Sequence, residues 1–208
     1  MSRLPAWIGQ HLAAVRAIIV LTIITGFIYP LAVLGIGQAA FHSQANGSLV
    51  SANGKVAGSS LLCQEFTDSK GNPLPQYFQP RPSTASDPAS KTDFGCDPLY
   101  SGASNLGTNN TTLLQNVQAR KTAYAKLNGV SPADVPPDAI TTSGSGLDPY
   151  ISPQNAADQV NRVAAARHRP VSEVQALVRK YTQGRSLGFL GEPRVNVLLL
   201  NIALDEMR

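Results

Sequence analysis

Charge is what this 208-residue sequence has least of: Asp, Glu, Lys and Arg together make up 14% of it. The first 41 residues hold only Arg3 and Arg16, and no acid precedes Glu65. Two cysteines and three histidines are too few and too scattered for a metalloenzyme. Neither Cys63 nor Cys96 has a histidine nearby to complete a zinc site. His11, His42 and His168 have no partners at ligand or dyad spacing and read as surface or interfacial residues. Gly (17) and Pro (15) stay below the level of a collagen-like or low-complexity chain. A net charge of +4, partly next to an apolar run, is too weak to argue for nucleic acid, and no such partner is expected. The length suits one domain with an appendage.

Only one stretch approaches the length of a membrane span. Residues 17–37 (AIIVLTIITGFIYPLAVLGIG) carry no charge, and as a helix they would cover about 31 Å, the thickness of a bilayer core. Thr22 and Thr25 can return their hydroxyls to carbonyls one turn back, and Pro30 is tolerable in a membrane helix. Gly26, Gly35 and Gly37 offer notches for close helix approach. The competing reading is a cleaved signal peptide ending near Ser43-Gln44-Ala45, although the apolar run is long for one. Both readings set the same direction. Arg3 and Arg16 precede the run, and no Lys or Arg follows until Lys55, so the N-terminus is expected in the cytoplasm. The expected organisation is a cytoplasmic segment 1–16, a transmembrane helix 17–40 and an exported domain 41–208.

Within the exported part, Leu49-Val50 and Val56 flank Asn53-Gly54, a type I′ hairpin signal. Residues 64–111 are mostly turn chemistry, and so long a loop is expected to be functional, stapled, or both. Three helices follow. The first spans about 112–128, with Leu113, Val117, Tyr124 and Leu127 on one side and Gly129 as its stop. The second is capped by Ser152 with Pro153 next, and its inward face is Ala156, Ala157, Val160, Val163 and Ala164. The third opens on a Ser172/Gln175 capping box, shows Val174, Leu177, Val178 and Tyr181, and ends at Gly184. Residues 195–204 (VNVLLLNIAL) fit a strand or a helix equally, and are taken as a strand over 195–199 passing into a helix. The fold class is α/β (α+β), with one N-terminal transmembrane helix.

The chemistry-bearing candidates are few. Cys63 and Cys96 bracket the proline-rich stretch and, in an oxidising compartment, favour a disulfide over two free thiols. Ser143-Gly144-Ser145-Gly146 precedes a helix N-terminus, where backbone N–H groups can cradle a phosphate. It matches neither a Walker A loop nor a nucleophile elbow, and a tight structural turn is the better reading of those residues. Gln159 lies at the edge of an apolar helix face, where a hydrogen bond to a neighbouring loop outweighs a ligand contact. Arg162, Arg167, Arg169, Arg179, Lys180 and Arg185 read as solvated outer faces of two helices, or less simply as a docking surface. No catalytic machinery is legible. A hydrolase using Ser145 lacks an identifiable general base.

Motifs in order along nearly the whole chain carry a resemblance. They are residues 44–49 (QANGSL), Tyr77-Phe78 with Arg81-Pro82-Ser83, residues 101–107 (SGASNLG), residues 143–149 (SGSGLDP), Arg162-Val163-Ala164 with Ala166-Arg167, and residues 187–205 (LGFLGEPRVNVLLLNIALD). The sequence resembles the C subunit (KdpC) family of the bacterial potassium-transporting P-type ATPase, the Kdp complex. That resemblance implies a non-catalytic accessory subunit of an ATP-driven, high-affinity potassium importer in the inner membrane. The implied partners are a channel-like potassium-selecting subunit, a P-type ATP-hydrolysing subunit, and membrane lipid. It also implies a catalytic chaperone that raises the ATP affinity of the hydrolysing subunit. ATP would then act through the complex, with Ser143, Gly144, Ser145, Gly146 and Gln159 as the positions for a nucleotide contact. Charge placement opposes that contact, because it exports residues 41–208 while ATP is cytoplasmic. A cap over the potassium entrance of the channel-like subunit is the alternative. A nucleotide-binding domain facing the cytoplasm is a further alternative that the charge bias disfavours. Cys63 in place of a usual glycine, Tyr150 in place of a usual histidine, Thr108 before Asn109 where a proline is common, and extra length around 67–76 and Cys96 depart from the family pattern. They mark the 63–96 surface as a local elaboration.

Overall fold

A computed structural model describes residues 5–207, so the orientation charge Arg3 lies outside it. The chain divides into two units between Ser48 and Leu49.

The first unit is dominated by a continuous helical run, Ala6–Ala40, of 35 residues. It starts well before the uncharged stretch and comprises α1 (Ala6–Ile23), a π-turn (Ile24–Ile28) and α2 (Tyr29–Ala40). At 1.5 Å per residue the run measures about 52 Å, more than the roughly 30 Å hydrocarbon core. The π-turn has an identifiable cause. Pro30 has no N–H to give the carbonyl four residues back, and widening the preceding turn lets the Tyr29 N–H reach the Ile24 carbonyl instead. Thr25 donates its hydroxyl to the Leu21 carbonyl at 2.7 Å, hiding a polar group that lipid could not satisfy. None of α1 or α2 is buried by protein, and a short helix, α3 (His42–Ala45), follows.

In the second unit, β1 (Leu49–Ala52) and β2 (Lys55–Ser59) form an antiparallel hairpin. Asn53 and Gly54 both take positive φ (51° and 76°), as the type I′ turn requires. Residues 60–110 contain no regular helix or strand. Helix α4 (Thr111–Asn128) is capped by the Asn110 side chain, which accepts from the N–H groups of Thr112 and Leu113, and it stops at Gly129 with φ 67°. Helix α5 (Pro153–Ala166) has Ser152 as its cap and Pro153 first, for the reasons the sequence supplies. Its inward face differs at one place: Ala157 is exposed, and Asn155 and Gln159 are buried beside Ala156, Val160, Val163 and Ala164.

Helix α6 (Val171–Tyr181) departs further. It begins after Pro170 with no side-chain cap, so Ser172 sits inside the first turn and the capping box does not form. Proline fixes the entry backbone there, leaving the serine no capping role. The helix also ends before Gly184, because Thr182 enters a sheet. That antiparallel sheet has the order β3-β5-β4, with β5 (Arg194–Asn196) between β3 (Tyr150–Ile151) and β4 (Thr182–Gln183). The apolar tail resolves as strand then helix, but earlier than 199. Asn196 accepts from the Leu199 N–H and caps α7 (Val197–Asp205). It also donates to the Ser60 carbonyl.

One core joins these parts: Ile151, Val160, Val163, Val174, Val178, Val195, Leu200 and Leu204, plus Phe78 from the irregular segment, which is fully buried. A smaller cluster gathers Ala85 and Leu147 around Cys63 and Cys96, which are joined as a disulfide with Cα atoms 5.4 Å apart. The bridge spans 33 residues, so on chain-entropy grounds it contributes about 3–4 kcal/mol. Replacing both cysteines by serine is expected to lower unfolding stability by that order, read by denaturant titration. An unchanged midpoint would contradict it.

Candidate functional site

The residues that sequence patterns single out fall into two places. The first is centred on the irregular segment from Leu74 to Gln79. A loop running against a core must satisfy its backbone polar groups without a sheet, and here side chains do it. The Gln159 amide accepts the Gln79 N–H (2.7 Å) and donates to the Gln79 carbonyl (3.2 Å). Asn201 does the same for Phe78, at 2.9 Å each way. Arg162 donates to the carbonyls of Pro75 (2.7 Å) and Tyr77 (2.9 Å), and Arg167 to that of Gln76 (2.7 Å). The Gln79 side chain turns back to the carbonyls of Leu74 and Phe66. Every carbonyl from Leu74 to Gln79 therefore has a side-chain donor.

Helix geometry makes this possible. Asn155, Gln159 and Arg162 follow one another at spacings of four and three, so they share a face beside the apolar stripe. Gln159 also donates to Asn155 Oδ1 (2.9 Å) and accepts from Arg162 Nη2 (2.6 Å). Arg162 donates through Nε to Asn128 Oδ1 on α4 (2.9 Å). Burial pushes its guanidinium pKa down to about 10. Asn155 donates to Asp138, which also accepts from the Ser152 N–H and hydroxyl, and Asn155 accepts from the Tyr124 hydroxyl. Burial, with the negative charges of Asp158 and Asp138, raises the Tyr124 pKa and keeps that hydroxyl a donor.

The solvated-face reading of the basic residues fails for half of them. Arg167 pairs with Asp205 at 2.7 Å, donates to the Leu204 carbonyl and lies 4.8 Å from the Tyr77 ring centroid. Arg169 donates to the Met207 carbonyl. Arginine delivers several donors in a planar fork, so it suits a row of carbonyls that no strand covers. Arg179, Lys180 and Arg185 are exposed as expected. Sequence reasoning missed Asn201 and Asn155. The available signal was an amide interrupting an apolar helix face, since such an amide needs a partner.

The second place is the 143–146 loop. Gly144 and Ser145 are exposed, while Gly146 is buried with φ 71°. A Cβ at Gly146 would lie 2.7 Å from the Gly102 carbonyl oxygen and 2.9 Å from Ala85 Cβ, so this position needs glycine. The Ser145 carbonyl accepts from the Gly102 N–H (2.8 Å) and the Ser101 hydroxyl (3.0 Å), and the Gly146 carbonyl from the Ser83 hydroxyl (2.6 Å). Ser145 Oγ accepts the Leu147 N–H (3.1 Å) and lies 3.5 Å from Ser143 Oγ. Arg81, which joins the base of the loop, is already paired with Asp148 at 3.1 Å. Gln159 forms its hydrogen bonds with Gln79, Asn155 and Arg162, not with this loop. A triphosphate needs uncompensated cations or free amide donors. Gln159 is committed elsewhere, and Arg81 gives its terminal nitrogens to Asp148 and to Thr141 and Thr142, its buried Nε having no partner. Among the described residues, no group of three His, Cys, Asp or Glu side chains is placed to hold a metal.

Beside the disulfide lies Glu65, roofed by Gly95, where a Cβ would meet Glu65 Oε1 at 2.6 Å. Burial first, and the Asp93 charge second, push the Glu65 carboxyl up to about 7.

The class these features define is an α/β protein with one N-terminal helix long and apolar enough to cross a membrane, and a domain braced by part-buried arginine and buried amide side chains. A sequence model described as K+-transporting ATPase, c chain matches residues 11–206. A potassium-transporting ATPase KdpC subunit of Kineococcus radiotolerans is 52% identical over 86% of this chain and 84% of its own. Namesakes from Mycobacterium tuberculosis (50%; 95% and 98%) and Streptomyces avermitilis (47%; 94% and 92%) match over comparable lengths. The chain belongs to the KdpC family, subunits of the potassium-transporting ATPase.

Gln159→Leu would leave the Gln79 backbone N–H and carbonyl without partners, and is expected to cost about 2–4 kcal/mol in denaturant unfolding. A loss no larger than that of an exposed control such as Ala165→Ser would contradict the bracing role. The Glu65 shift carries a sign. The folded carboxyl keeps its proton to about pH 7, while the unfolded one releases it near 4.5. Its contribution to stability is complete below pH 4.5 and is lost as pH rises through 7. Glu65→Gln is therefore expected to raise the melting temperature at pH 8 and leave it unchanged at pH 4. Equal effects at both would contradict the assignment.

Proposed function

We propose that this chain is the non-catalytic accessory subunit of an ATP-driven potassium importer, anchored by one helix with its N-terminus in the cytoplasm and residues 41–208 outside. The carrying observation is the charge placement: Arg3 and Arg16 before the apolar run, and no further Lys or Arg until Lys55. The Cys63–Cys96 bridge supports the same side of the membrane, since disulfides persist in oxidising compartments. The partners on this reading are the channel-like subunit and the P-type ATP-hydrolysing subunit, with lipid around the helix. The exported domain caps the potassium entrance and holds the assembly together. Any rise it causes in the ATP affinity of the hydrolysing subunit, the chaperone role, travels through the complex rather than through a direct nucleotide contact. The internal commitment of Gln159 and Arg81 supports that route.

The test pairs topology with activity. An alkaline phosphatase fused after Arg208 is expected to be active, and a cytoplasm-only reporter inactive. Removing the chain is expected to lower potassium-stimulated ATP hydrolysis. Activity of the cytoplasmic reporter would overturn the orientation, and full hydrolysis without the chain would overturn the subunit role.

A further inference from the structure

One face of α4 borders a cavity. Arg120, Ala123, Tyr124 and Leu127 recur at helical spacing, so they share that face. Together with Pro73, Gln79 and Ala139 of the 3₁₀ turn Pro137–Ala139, they line a space of about 570 Å³, within the range of small-molecule sites. Proline, alanine, leucine and a tyrosine ring make most of that lining apolar. Its polar groups are spoken for, with one exception. The Tyr124 hydroxyl donates to Asn155 Oδ1 (2.9 Å), and the Gln79 amide donates to the carbonyls of Phe66 and Leu74. Arg120 makes one hydrogen bond, from Nη1 to the Ile140 carbonyl at 3.3 Å, and no ion pair among the described residues. Burial alone acts on its guanidinium, lowering the pKa, and no carboxylate offsets it. No acid lines the cavity, and Lys126 brings a second positive charge to it.

We propose that this cavity binds a small amphipathic carboxylate, its oxygens accepting from the free N–H groups of Arg120 and its apolar body lying against Ala123, Leu127 and Pro73. The match is one of charge and shape. A guanidinium fork without an acid partner calls for a planar anion, and the apolar lining calls for a hydrocarbon body behind it. The engaged lining also decides against the C-terminus of a peptide, which offers the same carboxylate. A peptide would bring backbone N–H and C=O groups against a wall whose donors are already committed, whereas a monocarboxylate brings none. This site does not depend on the accessory-subunit reading above.

The test uses the full chain in lipid nanodiscs, isotope-labelled at its alanine and leucine methyl groups and titrated with sodium octanoate. Saturable shifts are expected at the methyls of Ala123 and Leu127, with octanol binding more weakly at the same place. Arg120→Gln is expected to weaken octanoate binding roughly tenfold or more and to leave octanol unchanged. Ala123→Leu, made at an exposed helix position, fills the cavity from one side. It is expected to weaken both ligands while the melting temperature holds, so the site remains testable even if the arginine variant folds poorly. The absence of a saturable shift at these methyls, or octanoate affinity unchanged in either folded variant, would overturn the site. Tighter binding of the dipeptide acetyl-Ala-Leu than of octanoate would overturn the small-molecule assignment. Equal competition by inorganic phosphate would overturn the role of the apolar body.

Discussion

Six consecutive carbonyls, from Leu74 to Gln79, run along the core of the second unit without a strand beside them, and side chains from distant parts of the sequence are placed to satisfy them. An unpaired buried backbone group costs about as much as a lost hydrogen bond, or more. Left bare, the segment could not deliver Phe78 to the centre of the core. The answer is a set of side chains on two helices. Gln159 and Asn201 each grip one residue by both backbone groups, as a neighbouring strand would. Arg162 and Arg167 take the carbonyls before them. The same groups reach α4 through Asn128 and the C-terminal residues through Asp205, so one polar network ties the loop to three helices.

This arrangement bears on function by what it withholds. Glutamine and arginine beside a glycine-rich loop suggest ligand chemistry when read from residue types. Here Gln159 is engaged internally, and the terminal nitrogens of Arg81 go to Asp148, Thr141 and Thr142, while Arg81 Nε is buried without a partner. The half-buried Glu65 near the disulfide, its carboxyl pushed up by burial, makes stability depend on pH.

Much of the architecture was legible. Local rules acted alone at Asn53-Gly54, at Ser152-Pro153 and at Gly129, and each produced the expected turn, cap or stop, while the uncharged run 17–37 lies inside a longer helical run, Ala6–Ala40. The apolar tail around Val195 was ambiguous by periodicity, and Asn196 settled it by capping α7. Reading failed where tertiary contacts override local preference. Pro170 fixed the start of α6 and cancelled the capping box at Ser172. Arg162, Arg167 and Arg169 look solvent-facing in the sequence because their carbonyl partners lie far away, at 74–79 and near the C-terminus. Nothing local marks such a partner. A helix-face pattern counts charge as outward, and only the accounting of backbone groups in an irregular segment would have called for donors.

Side chains alone give the backbone of Phe78 and Gln79 the hydrogen bonds a sheet would give. Native-state hydrogen exchange at those two amides tests it most directly, because neither sits in a helix or strand. The amides are expected to exchange as slowly as those of Val160 and Val163 in α5, opening only with the core. Exchange at the rate of a surface loop, with the α5 amides still protected, would contradict the account.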